Sequence, residues 1–130
     1  YGTSRAAVEA RLGADCDVFL DIDVQGARQV RAALPEAVSV FVLPPSHEVL
    51  LDRLKARGQD SEGVITLRMR NAVNEMRQLV EFDYVIINDR LEEATRALAN
   101  IVAAARFRAS RMRRVASEIV AGFEGALKED

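Results

Sequence analysis

A single cysteine, Cys16, leaves no disulfide to staple a 130-residue chain, so the core must hold itself together and a reducing, cytoplasmic setting is expected. Histidine is equally scarce. His47 stands alone, and without a His/Cys cluster nothing points to zinc or another resident metal site. His47 follows Pro44-Pro45-Ser46 and is expected at the surface. No apolar run approaches the roughly 20 residues that span a bilayer, and the opening Tyr1-Gly2-Thr3-Ser4-Arg5 has no apolar segment of a secretory signal. Neither sign of charge dominates: 18 basic residues face 20 acidic ones, and the net charge of −2 gives no global pull toward nucleic acid or an anionic membrane. There is no internal repeat, low-complexity tract or linker, and the length suits one domain with its own core.

The chain does contain three short apolar runs bounded by polar or turn residues. Asp17–Asp23, Val38–Leu43 and Tyr84–Ile87 read as buried strands. Helical patterns separate them. An Ala-rich stretch runs from Ser4 to Leu12 before Gly13, and a second helix carries Val30, Ala33 and Leu34 and stops at Pro35. A third begins at the expected N-cap Ser46 and carries Val49, Leu50 and Leu54. A fourth, from Val64 to Val80, carries Ile65, Met69, Val73, Met76 and Val80. A long helix is expected from about Leu91 to Arg114, with a short one after it. Alternating strands and helices predict an α/β fold with a parallel sheet flanked by helices.

Polar residues gather where such a sheet binds ligands, beyond the carboxyl ends of its strands. Asp21 and Asp23 end the first run. As strand residues two apart they share a face, where they could meet a base edge, a ribose or a hydrated metal, or simply end the strand in solvent. Asn88-Asp89 ends the third run, though that pair is also an ordinary turn. Arg53, Arg57, Arg68 and Arg70 bracket Gly58-Gln59-Asp60-Ser61. Arg57 stands where a helix breaks into a mobile loop, and closure of that loop could bring Arg57 and Arg68 onto one anion. Phosphoryl transfer needs such donors, but two solvated helix faces would look the same. The run Arg106, Arg108, Arg111, Arg113 and Arg114 follows a stripe of Leu98, Ile101, Val102 and Ala105. It reads as the solvated, dipole-complementing end of that helix rather than a nucleic-acid patch.

Taken in order, these segments resemble guanylate kinases. Tyr1-Gly2-Thr3-Ser4 is similar to the end of that family's monophosphate-binding region. Phe19-Leu20-Asp21-Ile22-Asp23-Val24-Gln25-Gly26-Ala27 is similar to its LDIDxQGA strand and turn. Phe41–Ser46 resembles the strand before the lid, Arg57–Glu62 the lid, and Phe82–Asp89 the last core strand and its exit. Two departures stand out. Gly63 replaces a frequent acid, removing a capping-box partner, and Val24 replaces a common aromatic.

The resemblance implies a nucleotide-kinase core of the phosphate-loop type, incomplete at its N-terminus. Residues 1–15 would close the GMP-binding region, 16–56 and 80–130 would form the core, and about 57–70 the lid. It implies transfer of the ATP γ-phosphoryl group to GMP, with Mg²⁺ accompanying ATP. Tyr1 would bond the GMP phosphate, and Thr3 and Asp21 would read guanine. Asp23 would lie beside the site as a supporting or metal-water ligand. Arg57 and Arg68, with Arg53 beside them, would stabilise the transferring group, and Asn88 and Asp89 would lie at adenine. No G-x-x-x-x-G-K-[ST] occurs in these residues, so the main phosphate and Mg²⁺ ligands are expected in a preceding segment of a longer protein, and these residues alone are expected to be inactive. The resemblance also admits a catalytically silent guanylate-kinase-like module that binds peptides. The retention of Asp21, Arg57 and Arg68 argues for the enzyme. No nucleic acid or membrane partner is expected; a homo-oligomer is left open.

Overall fold

The computed structural model describes residues 2–58 and 60–128. They fall into two compact units, the first ending at Ala37 and the second beginning at Val38. The architecture is mixed α/β, with a small parallel sheet and flanking helices.

The first unit holds two helices, α1 (Arg5–Gly13) and α2 (Val24–Ala33). Each begins on a side-chain cap that satisfies an otherwise orphaned N–H. The Ala7 N–H donates to Ser4 Oγ at 3.4 Å, and the Gly26 N–H donates to Asp23 Oδ1 at 2.7 Å. Val8 from α1 and Val24 and Ala27 from α2 are buried, so the valine at position 24 fills the site as a packing residue. Pro35 follows the α2 cap Leu34, whose N–H donates to the Val30 carbonyl at 2.7 Å. The expected strand over Asp17–Asp23 is not formed. A strand exists only through a ladder with a neighbour, and among the described residues no strand ladder forms along this run; Phe19 is 63% exposed.

The second unit is built on β1 (Val40–Leu43) and β2 (Tyr84–Ile87), paired in parallel from Val40↔Tyr84 to Leu43↔Ile87. The strand expected over Val38–Leu43 is thus two residues shorter, because Ser39 does something else. Its N–H and its hydroxyl both donate to Asp83 Oδ2, at 2.8 and 3.0 Å, and the Asp83 N–H donates back to Ser39 Oγ at 3.0 Å. The Ser39 carbonyl then accepts from the N–H groups of Asp83 and Tyr84, each at 3.1 Å. Ser39 is buried, so these bonds replace water around every polar atom that the strand start would otherwise strand. Phe41 and Phe82 meet edge to face beside this clasp, with ring centroids 5.2 Å apart.

The crossover from β1 to β2 carries α3 (His47–Ala56), α4 (Glu62–Met76) and a 3₁₀ turn at Leu79–Glu81. Ser46 caps α3, accepting from the Val49 N–H at 3.2 Å. Glu48 follows it, its carboxyl held below the ordinary carboxylate range by its own backbone N–H, then by the Ser46 hydroxyl and the nearby His47. His47 is exposed, as expected. Helix α3 ends through Arg57 and then Gly58, which takes φ +71°, a left-handed conformation natural to glycine; its N–H donates to the Lys55 carbonyl at 3.0 Å.

Helix α4 departs from expectation at both ends. It starts at Glu62, because Ser61 caps it alone through the Val64 N–H at 3.4 Å, and it stops at Met76. Its half-buried line is Ile65, Met69, Ala72 and Met76, while Val73 and Val80 are exposed, Val80 at 82%. Helix α3 packs on α4, and α5 (Leu91–Ala105) packs on β2. The expected long helix is two: α5 closes at Arg106, where Phe107 and Arg108 donate to carbonyls three residues back, and α6 (Ala109–Lys128) begins anew. Of the arginine run, only Arg106 therefore sits at a helix C-terminus. Arg111 lies in the first turn of α6, with Arg113 and Arg114 just beyond it, so the dipole account fails for them.

Breaking the clasp should destabilise the second unit in graded fashion. Ser39→Ala should cost about 1–2 kcal/mol, and Asp83→Ala more, about 2–3 kcal/mol, because it leaves two buried donors unmatched. Urea midpoints at constant slope measure this. An Asp83→Ala loss no larger than that of Ser39→Ala would show that the carboxylate does not hold the strand start.

Candidate functional site

Within the first unit, the coil leading to α2 and the first turn of that helix border an open groove of about 710 Å³. Thr3, Asp21 and Asp23, three of the residues singled out in the sequence, line it together, with Gly2, Leu20 and Gly26 beside them. Tyr1, the fourth, lies outside the described residues.

The two acids are in different states. Asp23 is the α2 cap, one oxygen already engaged by the Gly26 N–H at 2.7 Å. A Cβ on residue 26 would lie 3.1 Å from that oxygen and 3.2 Å from Ile22 Cβ, so glycine is what lets Asp23 close down on the helix start. Asp21 is exposed, and among the described residues its carboxylate accepts no hydrogen bond and pairs with no cation. Two free acceptor oxygens on a groove wall suit a planar ligand edge carrying two N–H donors.

The groove also takes in Arg5, Gln25 and Gln29, which the sequence reading gave no role. Gln25 and Gln29 are four apart and share a face of α2, a signal available once Asp23 is recognised as the cap. Arg5 donates through Nε to Glu9 Oε1 at 2.7 Å on the surface of α1.

The remaining singled-out residues lie in the second unit, at the carboxyl end of the sheet and along the crossover. The Asn88 N–H donates to the Leu43 carbonyl at 2.8 Å, carrying the ladder one bond past β2. Arg53 reaches this corner from α3: Nη1 donates to the Asn88 carbonyl at 2.8 Å and Nη2 to the Asp89 carbonyl at 3.4 Å. The structure thus groups Arg53 with Asn88 and Asp89. Arg57 is the exposed cap of α3. Arg68, near the middle of α4, contacts Asp60 of the intervening loop, Nη1 to Oδ2 at 3.0 Å. Arg57 and Arg68 therefore stand on two helices that pack together, on either side of residues 58–61, of which Gln59 lies outside the described residues. No group of three or more His, Cys, Asp or Glu among the described residues could hold a metal ion, and no helix among them is long and apolar enough to cross a membrane.

The capping duty of Asp23 can be separated from any ligand duty. Asp23→Ala should cost about 1 kcal/mol of stability, and Asp23→Ser, which keeps the cap, should restore most of it. Thermal melts test this; equal losses for the two variants would mean that the cap contributes little.

The guanylate kinase family model matches residues 1–105. The chain is 55% identical over 111 residues to the guanylate kinase of Neisseria gonorrhoeae, an alignment covering 85% of this chain and 54% of the relative. It is 54% identical over 106 residues to the guanylate kinase of Hydrogenovibrio crunogenus, covering 82% and 52%. With the guanylate kinase of Escherichia coli K12 it is 52% identical over 113 residues, covering 87% and 55%. It spans about half the length of the curated relatives it matches. A match over residues 1–105, with more than half of the aligned positions identical in each relative, places the motifs in their family: the chain belongs to the guanylate kinase family.

Proposed function

We propose that the protein carrying this chain transfers the γ-phosphoryl group of ATP to GMP, giving ADP and GDP. The observation that carries the proposal is the groove that Thr3 and Asp21 line together, in a chain 55% identical to a guanylate kinase. The same identity favours the enzyme over a peptide-binding module of the same fold. On this reading residues 1–15 close the GMP-binding region, 16–56 and 80–130 are core, and about 57–70 are lid, all within one domain. The setting is cytoplasmic.

The division of labour follows from charge. Guanine presents N1–H and N2–H₂ along one edge, and a carboxylate at position 21 accepts from both. Adenine lacks that pair of donors and would leave the acceptor buried and unmatched, which is a strong source of discrimination. Thr3 adds a hydroxyl to the same wall, and Tyr1 would reach the GMP phosphate. Asp23 keeps its cap and lends its second oxygen to the site. During transfer, negative charge spreads over the equatorial oxygens of the moving group. Arg57 and Arg68 would meet that charge when the loop between their helices closes, so catalysis is by positioning and electrostatics with no covalent intermediate. Asn88 and Asp89 would border adenine. Arg53, expected beside the other two arginines, would serve by holding that corner through its two carbonyl bonds. Mg²⁺ would accompany ATP. Among the described residues no group of three or more His, Cys, Asp or Glu is placed to hold a metal ion.

Asp21→Ala in the intact protein should impair GMP use by about 1.5–3 kcal/mol in kcat/KM while leaving ATP binding nearly unchanged. Steady-state kinetics with both substrates varied will show it, and an unaltered GMP kcat/KM would refute the assignment.

Arg57→Ala and Arg68→Ala should each lower kcat with smaller effects on nucleotide dissociation constants, since they act on charge that develops after closure. A variant that binds poorly yet turns over normally at saturation would contradict the role.

A further inference from the structure

Arg68, proposed above to meet the transferring phosphoryl group, has an acid beside it: Asp60 Oδ2 stands 3.0 Å from its Nη1. Local structure fixes the acid first. Asp60 directly precedes Ser61, whose hydroxyl accepts from the Val64 N–H at 3.4 Å and whose carbonyl accepts from the Ile65 N–H at 3.0 Å. The start of α4 therefore anchors the backbone on which Asp60 stands, and Asp60 is the more sheltered of the pair. Its charge suits that place, since the N-terminal end of a helix carries partial positive charge. Arg68 follows Ser61 by seven residues, about two helical turns, and so returns to the same face. Long helical side chains lean toward the N-terminus, which carries the guanidinium back toward the acid. The pair thus belongs to α4 and its entry.

We propose that Asp60 is a positioning residue for Arg68: its carboxylate steadies one corner of the guanidinium and so presents the opposite edge to the phosphoryl group. The role presupposes the proposed transfer and the place of Arg68 in it. A guanidinium carries five N–H donors in a planar fork. The ion pair is made at Nη1, while Nε and Nη2 form the edge that can give an anion two parallel bonds. A phosphoryl group can land on that edge while the carboxylate still steadies Nη1. The acid then limits the rotamers to be frozen without taking the donors that the anion needs, and it can be displaced afterwards. Because both partners are partly hydrated, a several-fold effect is expected rather than a hundredfold one.

Steady-state kinetics of the intact protein with ATP and GMP tests this through Asp60→Asn, which keeps the shape and removes the charge. The expected result is a kcat lower by about two- to fivefold, with KM for both nucleotides nearly unchanged. Asp60→Glu should recover most of the loss. Thermal melts of both variants should keep the parent midpoint, because so exposed a pair contributes little to folding. In an Arg68→Ala background Asp60→Asn should add no further loss, since no guanidinium is left to position. If Arg68→Ala leaves kcat intact, the assignment of Arg68 and the role of Asp60 fall together. If Arg68→Ala slows turnover and Asp60→Asn does not, only the positioning role falls. A faster Asp60→Asn enzyme would make the acid a brake, and an equal loss in the Arg68→Ala background would place its effect elsewhere. Either result overturns the proposal.

Discussion

The second unit depends on one tie, the carboxylate of Asp83 holding the backbone and hydroxyl of Ser39. Parallel strands have no connecting turn to set their register, and a slip of one residue would turn every side chain to the wrong face. Here 44 residues separate the two partners, and the clasp fixes where the ladder begins. Everything downstream follows by counting. Val40 opposes Tyr84, Leu43 opposes Ile87, and both strands end level. The Asn88 N–H then falls opposite the Leu43 carbonyl, and the carbonyls of Asn88 and Asp89 come within reach of Arg53. The adenine corner of the proposed site is thus set at the opposite end of the strands, by a serine and an aspartate to which the sequence reading gave no role.

That dependence explains which parts of the fold could be read in advance. Tyr84–Ile87 was legible because its apolar run and bounding polar residues are local. Val38–Leu43 lost its first two residues to the clasp, a long-range event that no local pattern announces. Asp17–Asp23 has strand composition, yet a strand is a property of two segments, and no second segment pairs with it among the described residues. The helix break at Arg106–Arg108 had no signal, since neither glycine nor proline marks it. The caps at Ser4, Ser46 and Ser61, by contrast, act within four residues; Ser46 was read as a cap in advance.

The candidate site divides in the same way. Thr3, Asp21 and Asp23 were named from sequence and do share a groove. The reason first given for the two acids, alternation along a strand, does not apply, because the run is not a strand. The turn into α2 brings them to one groove instead: Asp23 folds back onto Gly26, and the coil before it carries Asp21 to the same wall. Motif resemblance named residues that line one groove, where periodicity would have misplaced their geometry. A glycine at position 26 reads as a breaker in isolation, and its role is visible only beside the carboxylate that needs the space.

Magnitudes decide how the Asp60–Arg68 contact bears on the proposed chemistry. An acid beside an arginine proposed to meet the transferring group could trap it. The Arg68 side chain is 46% exposed and that of Asp60 20%, so the pair is partly hydrated, and such pairs contribute about 0–1 kcal/mol. A phosphoryl group carrying several negative oxygens and excluded from water by a closed lid offers charge-assisted, bidentate bonds, each roughly twice as strong as a neutral one. On the proposed function the anion would therefore outcompete Asp60 once it arrives. Until then the acid holds the guanidinium against the loop, which limits the rotamers that must be frozen on closure. On the proposed function Asp60 would orient Arg68 without holding it back, and Gly58, already in a left-handed conformation, would give the lid a residue whose backbone can change on closure.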